Sequence, residues 1–210
     1  AIDFANRCET MAKWLGGAGQ VGDSVIIWAT NCWQWAVMDI ACQLSDRISV
    51  PIYPTAGQDQ LTYMFNDTKP TIVCIDHLTV ERLEFLRTID SIQTIVPIFS
   101  VEKRPGDGSV SDYDDIIANS NPTNPLNQEN WTKHRLDQPL TKLYTSGTTG
   151  TPKAVQLTHN NIVENFNGIK DVIPLGSTDS TLSFLPLSHI FERTVGLFCI
   201  LGIGGSIYYA

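Results

Sequence analysis

The sequence predicts an α/β fold in which parallel-rich sheets are flanked by helices. Segments with apolar residues at helical spacing alternate along the chain with short runs of β-branched residues. Glycine, proline and asparagine fall between these segments, where turns are expected. Alternation of strand and helix implies crossover connections, which place neighbouring strands parallel and cover the sheet with helices.

Each element follows from its local pattern. Helical spacing predicts helices at 3–15, 33–44, 58–66, 78–86, from residue 160 onward, and up to about residue 201. Apolar and β-branched runs predict strands at 24–29, 49–52, 71–75, 94–98, 140–144, 154–158 and 181–185, and a last strand at the end of the chain. Gly16 and Gly17 end the first helix, and Asn160 is the expected N-cap of the helix that follows it. Pro51 and Pro54 close the second strand because proline donates no ladder hydrogen bond.

The alternation fails in the middle of the chain, which predicts three segments. These are a first α/β segment at 1–99, a loop or linker at 100–139, and a second α/β segment at 140–210. The uncharged stretch 194–210 is shorter than the ~20 residues of a spanning helix and contains glycines, so it predicts a buried helix followed by a buried strand. Because the chain ends within this apolar stretch, we expect a fragment of a longer protein.

Composition limits the classes of function. The 210 residues are 42% hydrophobic and 17% charged, which is typical of a globular chain. Fourteen basic against 22 acidic residues give a net charge of −8, which argues against broad binding of nucleic acid or anionic lipid. Any phosphate site must therefore be local. Five widely spaced cysteines without a C-x-x-C pair, and no visible secretory signal, predict reduced thiols and a cytoplasmic location.

One stretch, YTSGTTGTPK at 144–153, has the composition of a phosphate-binding loop. Its glycines let backbone amides approach an anion, its hydroxyls add donors, and Lys153 adds a positive charge. It is not the common P-loop, because Thr151 and Pro152 separate the lysine from the glycine. The residues that follow predict a strand, so no helix dipole assists binding. A flexible linker with an accidental lysine is the alternative, which the two flanking β-rich runs disfavour.

The same stretch carries a resemblance to a known family. YTSGTTGTPK followed by AVQLTHNNIV resembles the signature loop of the adenylate-forming, or AMP-binding, superfamily. PLSHIFER at 186–193, VPIYPT at 50–55 and WATN at 28–31 resemble the long-chain fatty acyl-CoA synthetases in particular. The resemblance runs along nearly the whole chain. It implies the N-terminal part of the adenylate-forming enzyme fold, with two α/β subdomains that are both incomplete.

The resemblance also implies a reaction and its participants. Members of the superfamily join a carboxylate to ATP, release pyrophosphate, and transfer the acyl group from the adenylate to the thiol of CoA. The implied substrates and cofactors are a fatty acid, ATP, Mg²⁺ and CoA, with no nucleic-acid partner. A fatty acyl substrate leaves peripheral membrane association open. The adenine and ribose motifs and the catalytic lysine of the superfamily lie in a C-terminal part beyond this chain, so the fragment alone is expected to be inactive.

Site residues are likewise implied by the resemblance. The implied phosphate-binding residues are Thr145, Ser146, Gly147, Thr148, Thr149, Gly150 and Lys153. Thr145 is also implied to contact the Mg²⁺ of ATP, together with a glutamate beyond the chain, and no resident metal site is predicted. His189 is implied to lie beside the acyl carboxylate as a catalytic residue. A lone histidine is also compatible with a hydrogen-bonded structural role, and Glu192 with Arg193 is equally compatible with a surface ion pair.

Two departures from the pattern of the superfamily keep other interpretations open. Ala154 occupies a position where the superfamily usually has glycine, and a positive φ there would cost an alanine about 1 kcal/mol. With the early end of the chain, this keeps open a non-catalytic nucleotide-binding or regulatory relative. A phosphotransferase is disfavoured because no hydroxyl follows Lys153. The second departure, Ser45-Asp46-Arg47, places charge beside a predicted core strand.

Overall fold

The computed structural model describes residues 2–101, 108–119, 136–145 and 152–210. Within these ranges the helices are α1 (Ile2–Gly17), α2 (Trp33–Leu44), α3 (Gln58–Thr68), α4 (Val80–Arg87), α5 (Tyr113–Asn119), α6 (His159–Val172), a π-helix (Glu192–Cys199) and α7 (Ile200–Ile203). The strands are β1 (Ser24–Trp28), β2 (Ile48–Pro51), β3 (Ile72–Leu78), β4 (Thr94–Val101), β5 (Pro139–Thr145), β6 (Lys153–Thr158), β7 (Ser180–Ser183) and β8 (Ser206–Tyr209). No helix of the described ranges is both long enough and apolar enough to span a membrane.

The described strands form one sheet of six and one of two. The larger sheet has the order β4-β3-β1-β2-β5-β6, in which only the β5–β6 pair is antiparallel, and β7 pairs with β8 in parallel. The predicted α/β class with a parallel-rich sheet is therefore confirmed. The larger sheet combines strands from the predicted segment 1–99 with β5 and β6 from the segment 140–210, and the three-segment division stays a prediction.

Helices cover both faces of the larger sheet because its strands are apolar on both sides. Val25 and Ile27 pack with α1, α2 and α5, whereas Ile26 and Trp28 pack with α3 and α4 on the opposite face. The helix after β1 and the helix after β3 thus lie on opposite faces, although β1 and β3 are neighbours. In open α/β sheets, ligands bind outside the carboxyl ends of the strands at such a switch point.

Several boundaries differ from the sequence-based prediction. Thr158, and not Asn160, is the N-cap of α6, because its hydroxyl accepts from the Asn161 amide while the Asn161 side chain accepts from the Thr158 amide in a capping box. The short helix α5 lies within the region predicted as loop. The predicted helix up to about residue 201 is present, but it is a π-helix over Glu192–Cys199 that continues directly into α7.

The charged sequence Ser45-Asp46-Arg47 has a structural explanation. Arg47 is 2% exposed, and its Nη2 donates to the Leu15 carbonyl in the last turn of α1 at 2.7 Å. Its Nη1 lies 3.3 Å from Asp23 Oδ2. The last turn of α1 contains no basic residue, so Arg47 supplies the cation that satisfies a helix C-terminus. Asp46 adopts φ 56°, and its carbonyl accepts from the Gly22 amide at 2.7 Å.

Candidate functional site

The hairpin β5–β6 brings the two ends of the predicted phosphate loop together. Thr145 and Lys153 are paired across the antiparallel strands, and both are exposed. Because β5 runs parallel to β2 and β1, the loop leaves the sheet at the carboxyl edge of the parallel strands. Ser146, Gly147, Thr148, Thr149 and Gly150 lie outside the described residues. The assignment of all seven loop residues to phosphate binding stays a prediction.

Tyr144 anchors the first strand of this hairpin to α3. Its hydroxyl donates to Asp67 Oδ2 at 2.5 Å and is hydrogen-bonded to Thr68 Oγ1 at 2.7 Å. Burial, and then the hydrogen bond to Asp67, raise the pKa of Tyr144 well above its ordinary value. The phenol therefore stays protonated and keeps its donor. The adjacent Thr145 is held at a fixed place on the edge of the sheet.

Ala154 fits its position without strain. It lies in β6, opposite Tyr144, and only Asp46 and Lys69 among the described non-glycine residues have positive φ. The positive φ that would make alanine costly at position 154 does not occur. Lys153 and Ala154 both lie in the extended backbone of β6, so alanine in place of glycine at position 154 does not displace the lysine.

His189 lies in an exposed turn between β7 and the π-helix. Its amide donates to the Pro186 carbonyl at 2.8 Å, and its carbonyl accepts from the Arg193 amide at 3.1 Å. The ring Nδ1 accepts from the Phe191 amide at 3.2 Å, which leaves Nε2 for another partner. Its assignment as a catalytic residue stays a prediction.

Asn31 ties the segment before His189 to the carboxyl edge of the larger sheet. It follows β1, and its Nδ2 donates to the Leu185 carbonyl at 2.7 Å and to Ser183 Oγ at 3.2 Å. Its Oδ1 accepts from the Leu187 amide at 2.8 Å. Thr145, Lys153 and the segment that carries His189 are therefore all attached to the same edge. From sequence, Asn31 has no role beyond its place in the WATN stretch, although a polar residue soon after a buried strand is a signal for this edge.

Arg193 is the centre of a buried polar network, which excludes the surface ion pair. Both Glu192 and Arg193 are buried, and Arg193 is 0% exposed. The Arg193 guanidinium donates to both carboxylate oxygens of Asp39, to Thr141 Oγ1 at 2.7 Å and to Ser49 Oγ at 2.7 Å. These partners lie on α2, β5 and β2, so the network links the π-helix to three elements of the larger sheet and its covering layer.

Two described side chains at this edge have the chemistry to bind a phosphate group. Lys153 offers a solvent-exposed ammonium and Thr145 offers a hydroxyl, which are the donors that phosphate oxygens require. Over the described part of the chain, no group of three His, Cys, Asp or Glu side chains is placed to hold a metal ion. The Thr145 hydroxyl is the described candidate contact for a Mg²⁺ ion that accompanies a phosphate.

Comparison with known proteins identifies the family. The family model described as AMP-binding enzyme matches residues 2–210. The chain belongs to the AMP-binding enzymes. Its similarity to long chain acyl-CoA synthetase 6, peroxisomal, from Arabidopsis thaliana is 34% identity over 179 residues, covering 82% of this chain and 25% of the relative. Fatty acyl-CoA synthetase A from Dictyostelium discoideum is 31% identical over 193 residues, covering 86% of this chain and 28% of the relative. The chain thus spans roughly a quarter of the length of these AMP-binding relatives.

Solved structures share the fold of this chain. The ATP-bound MatB of Rhodopseudomonas palustris has a TM-score of 0.79 at 24% identity, covering 99% of this chain and 39% of that one. The anthranilate CoA ligase AuaEII in complex with anthranoyl-AMP has a TM-score of 0.83 at 21% identity, covering 98% and 39%. At these identities the likeness shows the fold alone. The predicted N-terminal part of the adenylate-forming enzyme fold is confirmed.

Proposed function

We propose that this chain is the N-terminal part of an ATP-dependent fatty acid–CoA ligase, most like the long-chain acyl-CoA synthetases. The observation that carries the proposal is the pairing of Thr145 with Lys153 at the carboxyl edge to which Asn31 also ties the His189 segment. Membership of the AMP-binding enzymes and relatives named as long-chain acyl-CoA synthetases support the choice of reaction and substrate. The isolated fragment is proposed to be inactive.

In the proposed first step, a carboxylate oxygen attacks the α-phosphorus of ATP. A new bond forms between that oxygen and phosphorus, and the bond to the β-phosphate bridging oxygen breaks, which releases pyrophosphate. Both reactants are anions, so donors around the β- and γ-phosphates lower their repulsion. Lys153 contributes a full charge there and Thr145 a hydroxyl. Mg²⁺, when it accompanies ATP, neutralises further phosphate charge.

In the proposed second step, the thiol of CoA attacks the acyl carbonyl. The carbon–sulfur bond forms, the carbon–oxygen bond to the phosphate breaks, and AMP and a proton leave. His189 is proposed to lie beside the carboxyl group in both steps, where Nε2 is available because the Phe191 amide donates to Nδ1. The split into two steps replaces a difficult displacement by two feasible ones.

Replacement of Lys153 in the complete protein tests the proposal. Lys153→Ala removes a charge-assisted contact of about 1.5–3 kcal/mol, so fatty-acid-dependent exchange between ATP and pyrophosphate should fall roughly ten- to a hundredfold. Lys170→Ala, which removes an exposed lysine from α6, is the matched control and should leave the exchange unchanged. Unchanged exchange in Lys153→Ala would refute the assignment.

The expected strain at Ala154 no longer supports the non-catalytic alternative, because Ala154 lies in regular extended backbone. Titration calorimetry of the complete protein with Mg-ATP still separates the two functions. Nucleotide binding without pyrophosphate release on addition of fatty acids would favour the non-catalytic relative.

We also propose a cytoplasmic location with peripheral membrane association, which cell fractionation with a salt wash tests.

A further inference from the structure

Asn31 uses its whole side-chain amide to hold one short segment of the chain. An asparagine amide has two N–H donors and an oxygen acceptor. Both donor contacts and the acceptor contact go to residues 183–187, which are more than 150 residues away in sequence. Two of these three contacts are to backbone atoms of Leu185 and Leu187. A side chain that contacts backbone on both sides of Pro186 fixes the path of the chain there.

Asn31 is itself held in place from both sides. The preceding Thr30 amide donates to Asp76 Oδ2 at 3.1 Å, and Asp76 is 3% exposed. Arg82 Nη1 lies 2.7 Å from Asp76 Oδ1, so the buried carboxylate is neutralised. On the other side, Cys32 is the N-cap of α2. A residue between a buried strand and a capped helix has little freedom to move, so it can serve as a fixed support.

His189 lies between this support and a second one. The Asn31 contacts end at Leu187, and the buried Arg193 network begins four residues after His189. Between the two supports, the His189 backbone is hydrogen-bonded to Pro186 and Arg193. The two supports differ in what their loss does. Removal of Arg193 would leave Asp39 buried without its cation, whereas Asn31 is partly exposed and carries no charge.

We infer that Asn31 is a positioning residue, which acts through the Leu185–Leu187 backbone to hold His189 at the edge of the sheet where Thr145 and Lys153 lie. This inference rests on the proposed function, in which His189 lies beside the acyl carboxylate. Asn31 does not touch the substrate in this role. Its loss should therefore alter the use of the carboxylate and leave the affinity for ATP unchanged.

The kinetic test uses Asn31→Ala in the complete protein. We expect kcat/KM for the fatty acid in ATP–pyrophosphate exchange to fall at least tenfold, with KM for ATP within twofold of the original. Asn31→Asp keeps the acceptor for the Leu187 amide but loses both donors, so its activity should be intermediate. The matched control is Asn165→Ala, which removes an exposed asparagine whose Nδ2 donates to the Asn161 carbonyl at 2.8 Å, and it should behave as the original.

A double-mutant cycle separates positioning from a general structural effect. If Asn31 acts through His189, Asn31→Ala should cost less than twofold in a His189→Ala background. A tenfold loss in both backgrounds would overturn the inference, because the two residues would then act independently. An increase in KM for ATP that equals the change for the fatty acid would overturn it as well.

A second measurement does not depend on activity. The Leu187 amide donates to Asn31 Oδ1, and the His189 amide donates within the same turn. In Asn31→Ala these two amides should exchange with deuterium at least tenfold faster, while the midpoint of urea unfolding stays the same. Unchanged exchange would overturn the inference. If the original protein activates no carboxylate, the proposed function fails, and the amide exchange still decides whether Asn31 fixes the segment that carries His189.

Discussion

Loss of the Asp39 carboxylate should destabilise the protein far more than loss of a surface charge. Both side chains of the Asp39–Arg193 pair are 0% exposed, and within the described residues Asp39 is the anion that the guanidinium contacts. Among the described residues, Asp39→Ala would leave this buried cation with the hydroxyls of Thr141 and Ser49 as its hydrogen-bond acceptors.

The expected magnitude follows from burial. Breaking a buried ion pair by removing one partner costs about 3–5 kcal/mol, because the remaining charge is uncompensated. Replacing both partners by apolar residues of similar volume is often neutral or stabilising. We therefore expect Asp39→Ala to lower the free energy of unfolding by about 4 kcal/mol. The double variant Asp39→Leu with Arg193→Met should recover most of that loss.

Urea unfolding of the complete protein, followed by tryptophan fluorescence, measures these differences. The matched control is Asp3→Ala, which breaks the Asp3–Arg7 pair in α1, where the Asp3 side chain is 80% exposed and the distance is 2.9 Å. Its cost should be about 0.2–1 kcal/mol. A loss of less than about 1 kcal/mol in Asp39→Ala would refute the reasoning, since the cation would then have found water or another partner.

Three further predictions concern other parts of the molecule. Burial raises the pKa of Cys32 to about 11, so with rising pH the thiol of the unfolded chain loses its proton before that of the folded chain. Unfolding therefore releases a proton, and the free energy of unfolding should fall between about pH 9 and pH 11 by up to about 1.4 kcal/mol per pH unit. Urea titrations at several pH values would measure this fall. Arg82→Ala removes the cation of buried Asp76 and should cost about 1.5–3 kcal/mol in the same assay. Gly205→Ala would place its Cβ 2.9 Å from the Asp179 carbonyl oxygen and should cost about 1–3 kcal/mol in thermal unfolding.

Each of these has a control. Cys32→Ala should remove the contribution of this thiol to the pH slope, and an unchanged slope would assign the effect to another group. Arg82→Lys keeps the charge and should retain part of the stability that alanine loses. A Cβ added at Gly176 would have no neighbouring atom within 4 Å, so Gly176→Ala should leave the stability nearly unchanged. Equal losses in the two glycine variants would contradict the steric explanation.

Most of the secondary structure could be predicted from local pattern because the core strands are short and strongly apolar. The predicted strand 24–29 is β1, and the predicted helix 33–44 is α2 at the same bounds. The helix α5 was missed because it is short and lies in a polar region. A local signal was nevertheless present, since Asp112 Oδ1 accepts from the amides of Asp114 and Asp115 at the start of this helix.

Contacts between distant residues set the limit of the prediction. The sequence was compatible with a surface ion pair between Arg193 and the adjacent Glu192. The actual partner of Arg193 is Asp39, which is 154 residues away on α2. Asn31 lies equally far from the segment that it holds. The loop composition, in contrast, predicted Thr145 and Lys153 in one candidate site, because residues this near in sequence and on either side of a glycine-rich stretch can be close in space.

Because Thr145 is paired with Lys153, the candidate site depends on the register of β6 against β5. Successive side chains of a strand point to opposite faces. A slip of the hairpin that moves Ala154 opposite Thr145 would therefore put its methyl group where the ammonium is now, and the lysine would face the other side of the sheet. The position of the charge at this edge consequently depends on the register of β6 as well as on the identity of the residue.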